Sequence, residues 1–329
     1  MITGATQTCF KFLQQHIAIP DNLALDYNPQ ALAHAKKPIR ILWAHYAHDQ
    51  PIYLNTDWHR ITHIVCVSNW QRQQFLQHFD IPEDKISVIP NGVADYFTPT
   101  YPKTKTLIYA SAPYRGLKYI KYIFSRVQQH HPDATLKIFT GMSLHGGEDT
   151  PEQLAIYQDL RATPGVIFSQ PIAHEQLARE FSTAAVLCYP NNWEETSCVT
   201  LLEAMASGCI PVTSDIGALP ETAHGHGVQV PMRGIYTNSG WQVTRQFLDD
   251  FSQAVTTVLN NYSYNQCETV ANYSRTQHSW DKLAQQWKEL FETLSQRNIN
   301  DSKSINSNFS TAIWRTHSSR SQGLGTCIQ

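Results

Sequence analysis

Ala185-Val186-Leu187-Cys188-Tyr189-Pro190-Asn191-Asn192-Trp193-Glu194-Glu195-Thr196-Ser197-Cys198 continues into Val199-Thr200-Leu201-Leu202-Glu203-Ala204-Met205-Ala206-Ser207-Gly208 and then Ile210-Pro211-Val212-Thr213. The first five residues are an unbroken apolar run stopped by a proline, the pattern of a strand buried on both faces. Cys198 to Ser207 reads as a helix, with Thr196 or Ser197 as its N-cap and Gly208 closing it. Ile210 to Thr213 is the next strand. Strand, helix and strand of these lengths make a right-handed βαβ unit in a parallel sheet. Ligands of such sheets bind outside the carboxyl ends of the strands, which is where Pro190 to Ser197 falls.

The same alternation extends in both directions. Upstream, Leu107 to Ala110, Leu136 to Phe139 and Val166 to Phe168 read as strands, and Tyr119 to His130, Pro151 to Leu160 and His174 to Ser182 as helices. Downstream come a strand at Val228 to Val230 and a helix at Thr244 to Asn260. A first run precedes all of this: strands at Arg40 to Ala44, Ile61 to Val67 and Ile86 to Ile89, and a helix at Asn69 to Phe79. Pro99 and Pro102 punctuate the stretch between the two runs. The expectation is an α/β chain of two Rossmann-like domains, 1–98 (abbreviated) and 99–262, with closing helices over 263–296. Phe10 to Lys37 reads as helical or irregular. From Gln296 the chain turns rich in Asn and Ser and loses its period, so 297–329 is expected to be a disordered tail.

Composition narrows the function classes. The 329 residues carry a formal charge of −2, which argues against a nucleic-acid partner, since that needs a clustered basic excess. The seven cysteines are odd in number and include no Cys-x-x-Cys, so a disulfide frame or zinc site is not expected. No apolar run approaches the length of a membrane span, and no secretory leader is visible at Met1. The expected location is cytoplasmic, with peripheral contact at a membrane left open.

The loop and helix of the opening stretch carry the chemistry. A helix start presents unpaired N–H groups and a positive dipole end, a ready seat for a diphosphate. Glu203 leans back toward that end from among apolar neighbours, where a carboxylate can grip vicinal hydroxyls. Glu195 sits before the helix, nearer to where a sugar would project. The dipole alone also favours a Glu near a helix start, so one carboxylate by itself decides little.

The spacing of Glu195 and Glu203, the run into Gly208, and Asp215-Ile216-Gly217-Ala218-Leu219-Pro220-Glu221 together resemble glycosyltransferase family 4, retaining enzymes of GT-B type. Val67-Ser68-Asn69-Trp70, Ile89-Pro90-Asn91-Gly92-Val93, and Tyr109-Ala110-Ser111 through Arg115-Gly116-Leu117 fit the same family, in order. The resemblance spans about Arg40 to Glu292. It implies two Rossmann-like domains facing a cleft, and transfer of a sugar from a nucleotide-diphosphate sugar to an acceptor hydroxyl. It also implies retained anomeric configuration, no metal, and no cofactor beyond the nucleotide-diphosphate sugar as co-substrate. The acceptor, whether carbohydrate, lipid or protein, is not specified.

Carried onto this chain, the resemblance assigns Glu203 to the donor ribose and Glu195 to the transferred sugar. Arg115 matches the second residue of a basic pair that clamps the diphosphate, and Ala112 occupies the place of the first. Ser111, Thr196, Ser197 and Cys198 would line the donor site, with Cys198 read as helix filler rather than nucleophile. Lys118 reads as a solvated helix-face residue. His45 matches a strand-end histidine that reaches the sugar from the first domain, and His48 is its reserve. The glycine-rich loop of the family's first strand has no visible counterpart. The shortness of the first domain, with Ala112 in the place of the first basic residue, motivates an alternative: a non-catalytic nucleotide-sugar-binding module.

Overall fold

The computed structural model describes the backbone of residues 4–318 and the side chains of 4–300, apart from Leu144 and His145. The first half begins with α1 (Ala5–His16), followed by β1 (Leu23–Asp26), α2 (Pro29–Ala33) and β2 (Ile39–Ala44). It continues with β3 (His63–Cys66), α3 (Asn69–His78) and β4 (Ile86–Val88). The four strands pair in parallel in the order β1-β2-β3-β4. β1 corrects the reading of Phe10 to Lys37, and four strands replace the three expected. It is a four-residue edge strand with only Leu23 buried, so it carries little hydrophobic pattern.

The second half alternates regularly. It runs β5 (Thr104–Ala110), α4 (Leu117–Gln128), β6 (Thr135–Phe139), α5 (Pro151–Arg161), β7 (Val166–Ser169), α6 (His174–Thr183) and β8 (Ala184–Tyr189). Then follow α7 (Val199–Ala206), β9 (Ile210–Ser214), α8 (Leu219–Ala223), β10 (Val228–Val230), a hairpin of β11 (Gly234–Thr237) and β12 (Gly240–Val243), and α9 (Arg245–Asn261). The six-stranded sheet is parallel throughout, in the order β10-β9-β8-β5-β6-β7. The chain winds outward from β5 to β7, then returns to β8 and winds the other way. The topological switch point therefore lies between β5 and β8, where a ligand crevice opens. β8 is buried along its whole length, as its apolar run predicts. Helices cover the sheet, α4 with one apolar stripe of Leu117, Ile120, Ile123, Phe124 and Val127, and α7 buried nearly all round.

Two last helices tie the halves together. α10 (Tyr264–Gln277) packs on α7, where the Ser274 hydroxyl donates to the Leu202 carbonyl at 2.8 Å. α11 (Trp280–Ser318) crosses back to the first sheet. There Trp280, Leu283, Trp287, Phe291 and Leu294 join one core with Leu13, Ile41, Trp43 and Val65. The Trp43 and Trp287 rings meet edge to face at 4.9 Å. The reading of 297–329 as a disordered tail is corrected for 297–318, which α11 includes. No Gly or Pro interrupts Trp280 to Ser318, so nothing stops helix propagation where the apolar period fades. Residues 319–329 lie outside the described residues.

Candidate active site

Two loops meet at the switch point. After β5 the chain turns through Ser111 to Gly116, and after β8 through Pro190 to Ser197. Gly116 has φ +90°, and a Cβ there would lie 2.1 Å from the Pro190 carbonyl oxygen. Only glycine lets the two loops approach so closely. Gly217, at φ +59°, plays the same part behind Glu195, whose backbone N would lie 2.6 Å from an added Cβ. The Ala218 N–H donates to the Glu195 carbonyl at 2.8 Å, fixing the loop from that side.

The side chains predicted for the site converge. Glu195 and Glu203 are both buried, at 3% exposure each, and both line cavities at the mouth of this crevice. Arg115 donates through Nη1 to Glu195 Oε1, which also accepts from the Tyr189 hydroxyl. Burial opposes the charge on Arg115, but Glu195 together with Tyr189 and Tyr114 outweighs it and keeps the guanidinium protonated. The Arg115 Nε, closed off from solvent, has no partner. Ser111 lines the cavity, with its hydroxyl 3.2 Å from that of Tyr189. Ala112 is buried and uses its carbonyl to accept from the Tyr109 hydroxyl and the Arg115 N–H. Lys118 is exposed and lies over the Tyr119 ring.

The start of α7 differs in detail from expectation. Cys198, not Thr196 or Ser197, is the N-cap, and no side chain caps this end. Val199 and Thr200, the first helical residues, line the cavity beside Ser197 and Cys198. The Thr196 hydroxyl instead donates to the His45 carbonyl at 2.8 Å, crossing from one half of the molecule to the other. Burial, with Glu195 adding to it, pushes the Cys198 thiol well above its usual range, which keeps it protonated.

His45 follows β2 and faces the second half across the crevice. It lines the same cavity as Glu195, Arg115, Trp193 and Thr196. Burial pushes its pKa down to about 3, so the ring is neutral near pH 7. Its Nε2 is shut from solvent and unpartnered, while Trp43 packs against the ring at 4.7 Å. His48 stacks on His78 at 3.8 Å and does not line this cavity.

The crevice has two adjoining chambers, which share Gly4, Ala5, Arg115, Ser197 and Val199. One is lined by Glu203, Phe139, Ile172 and His174. The other, about 840 Å³, is lined by His45, Glu195, Tyr46, Tyr114 and Trp193, which is room for a ligand. The first turn of α1 stands between them, a role that the sequence reading left unassigned. Sequence reading also missed His174 and Tyr96. His174 Nε2 lies 2.5 Å from Glu203 Oε1, and its Nδ1 lies 2.5 Å from the Tyr96 hydroxyl. Glu203 thus has a polar partner, not only the apolar neighbours its helix supplies.

A carboxylate of the second half closes the cleft on its other side. Glu221 accepts from the Asn69 and Trp70 N–H groups, at 2.8 and 2.9 Å, and from Asn69 Nδ2. Ser68 accepts from the Gln71 N–H, and the Ser68 carbonyl from that of Arg72. The N–H groups of the first three helical residues of α3, which no helix carbonyl can reach, are thereby satisfied, two of them from the opposite half.

Six cysteines are buried and unpaired among the described residues. No group of three His, Cys, Asp or Glu there could hold a metal ion. No helix among them is long and apolar enough to cross a membrane.

This fold and cleft define a GT-B protein. The family described as Glycosyl transferases group 1 matches residues 104–261, and that described as Glycosyltransferase Family 4 matches residues 27–95. The chain belongs to the family 4-like glycosyltransferases. An MMP alpha-(1->4)-mannosyltransferase of Mycolicibacterium hassiacum is 28% identical over 167 residues, 49% of this chain and 39% of that protein. The gpi3 subunit of the phosphatidylinositol N-acetylglucosaminyltransferase of Schizosaccharomyces pombe is 20% identical over 250 residues, 72% of this chain and 50% of that protein. The chain thus spans half or less of these relatives' length. Among solved structures, sucrose-phosphate synthase from Thermosynechococcus elongatus matches with TM-score 0.65 at 17% identity, over 88% of this chain and 79% of that one. Anabaena HepE in complex with UDP and glucose matches with TM-score 0.62 at 15% identity, over 87% and 82%.

Proposed function

We propose that this chain moves a sugar from a nucleotide-diphosphate sugar to an acceptor hydroxyl, with retention of configuration and without a metal ion. The observation that carries the reading is the meeting of Glu195, Glu203, Arg115 and the uncapped start of α7 at one switch-point crevice. In this reading Glu203 holds the ribose, and the α7 N–H groups with Arg115 hold the diphosphate. Glu195 and His45 hold the hexose at the junction of the chambers, and the acceptor enters through the larger one.

Arg115 must then turn from Glu195 toward phosphate. Unit charges about 4 Å apart at an effective dielectric of about 20 interact by about 4 kcal/mol, so trading one anion for another is close to neutral. The diphosphate's greater charge tips the exchange. Chemistry follows by front-face displacement. The bond from the anomeric carbon to the phosphate oxygen breaks, and the acceptor oxygen bonds on the same face. The acceptor's proton passes to the departing phosphate oxygen. Arg115 and the helix start stabilise the charge that develops there, in the place a divalent ion would otherwise take. Cys198, kept as a thiol, is not a nucleophile. His45, neutral near pH 7, acts as a hydrogen-bonding group rather than an imidazolium.

The test is nucleotide release and product formation against a panel of UDP-, GDP-, ADP- and dTDP-sugars, with and without a chelator. Turnover that the chelator leaves unchanged supports the reading. Saturable nucleotide binding with no turnover for any donor and acceptor pair would overturn it in favour of a binding module.

A further inference from the structure

His174 is the first residue of α6 and has no part in the reading above, yet both of its ring nitrogens are engaged at the donor chamber. Phe97 meets the ring edge-on at 4.9 Å, and Phe12 lies beside it at 6.3 Å. With both nitrogens bonded and a ring on its flank, the imidazole is held in one orientation. Glu203 accepts only, so the Nε2 carries a proton toward it. The Tyr96 hydroxyl can either donate to Nδ1 or accept from it, so it serves the neutral and the charged ring alike.

We propose that His174, steadied by Tyr96, is a positioning residue for Glu203: it fixes one carboxylate oxygen, leaves the other for a ligand's hydroxyls, and offsets the carboxylate's charge when an anionic nucleotide binds. This rests on the reading of the crevice as a nucleotide-sugar site. An isolated buried carboxylate would repel a diphosphate a few ångströms away, whereas a Glu203–His174 pair with no net charge does not.

The groups around the ring set the direction of its titration. Burial works against its charge, but Glu203 on α7 outweighs this and lifts the pKa. Glu175 on α6 lifts it further, and Lys11 on α1 opposes. Tyr96 faces Nδ1 and stays protonated, and the Cys9 thiol of α1, pushed up by burial and then by Glu203, is neutral. Below the raised pKa the pair is neutral overall. Above it Glu203 stands alone, so affinity for a nucleotide is expected to fall as pH rises through that value.

The experiment titrates UDP, GDP, ADP and dTDP onto the whole chain by calorimetry and takes the binder as probe. Its dissociation constant is then measured from pH 7 to 9, a range in which the terminal phosphate, which titrates near pH 6, is already ionised. The wild type should weaken progressively as pH rises through the raised His174 pKa. His174→Gln, which keeps a donor but no titrating group, should give a flat profile. His174→Ala should lose about tenfold at pH 7, as expected for a lost bond to a charged acceptor, with kcat changed less than KM. Tyr96→Phe should fall between. Thermal melts of each variant separate misfolding from weaker binding, and a His174→Gln that binds with the wild-type pH profile overturns the inference. A wild type that binds no nucleotide, or a Glu203→Ala that binds as well as the wild type, overturns the crevice reading and this inference together.

Discussion

Glu203 and Glu195 have separate expected signatures. Glu203→Ala should weaken nucleotide binding by about 1.5–3 kcal/mol, the range for a hydrogen bond to a charged group, which calorimetry would register. Glu195→Ala should reduce kcat by a larger factor than it raises nucleotide Kd, because its partner in the proposed reaction is the transferred sugar. Steady-state kinetics beside calorimetry would reveal an equal effect on both, which would count against that role. His45 adds a pH term to stability. Its folded pKa of about 3 lies below the usual 6.5, so the unfolded chain binds the proton more readily. The stability it contributes is complete above pH 6.5 and drains away as pH falls from there toward 3. Denaturant midpoints of the wild type and His45→Asn, followed over that range, should converge at the acid end. Glu195, Glu203 and Arg115 were legible because their loops carry recognisable spacings. His174 was not, because a lone histidine opening a helix gives no signal until the fold brings α6 beside α7.

Glycine and tryptophan set the limits at the level of elements. Gly116→Ala places a methyl against the Pro190 carbonyl at a left-handed φ, so the loops after β5 and β8 must part. A loss of at least about 1–3 kcal/mol of stability is expected from the strained backbone, read as a lower melting temperature together with weaker nucleotide binding. Trp287→Ala empties the space between α11 and the first sheet, and about 3–5 kcal/mol should be lost in urea unfolding. A loss under about 1 kcal/mol would show that α11 is not seated there in solution. Long buried elements such as β2, β8, α4 and α9 were readable from their hydrophobic patterns alone. β1 was hidden because four residues at a sheet edge, mostly half-buried, leave no period to detect. The hairpin of β11 and β12 escaped for a similar reason: Ile235 and Tyr236 are exposed, and it is anchored where Asn192 Nδ2 donates to the Trp241 carbonyl and the Trp241 N–H donates to the Asn192 carbonyl.

For the molecule as a whole, polar contacts that span the cleft among the described residues include Thr196 to His45 and Glu221 to the start of α3. Glu221 is exposed, so water and salt screen its charge, and its hold is worth no more than about 1 kcal/mol. Small holds suit the proposed reaction, in which the cleft opens for substrate. Glu221→Gln should broaden the small-angle scattering profile of the unliganded chain and raise its radius of gyration. Added salt should move the wild type in the same direction, and profiles that coincide would show that this contact does not govern opening. The two-sheet layout was plain from two runs of alternating elements, but the return of α11 to the first sheet was not, since nothing in its own pattern says which sheet it covers. That return has a practical outcome for anyone dissecting this protein. A piece cut off before Trp280 would leave the apolar side of β2 and β3, with the indole of Trp43, open to water. Such a piece would clump or melt, so the first half cannot be grafted elsewhere without carrying α11 along with it.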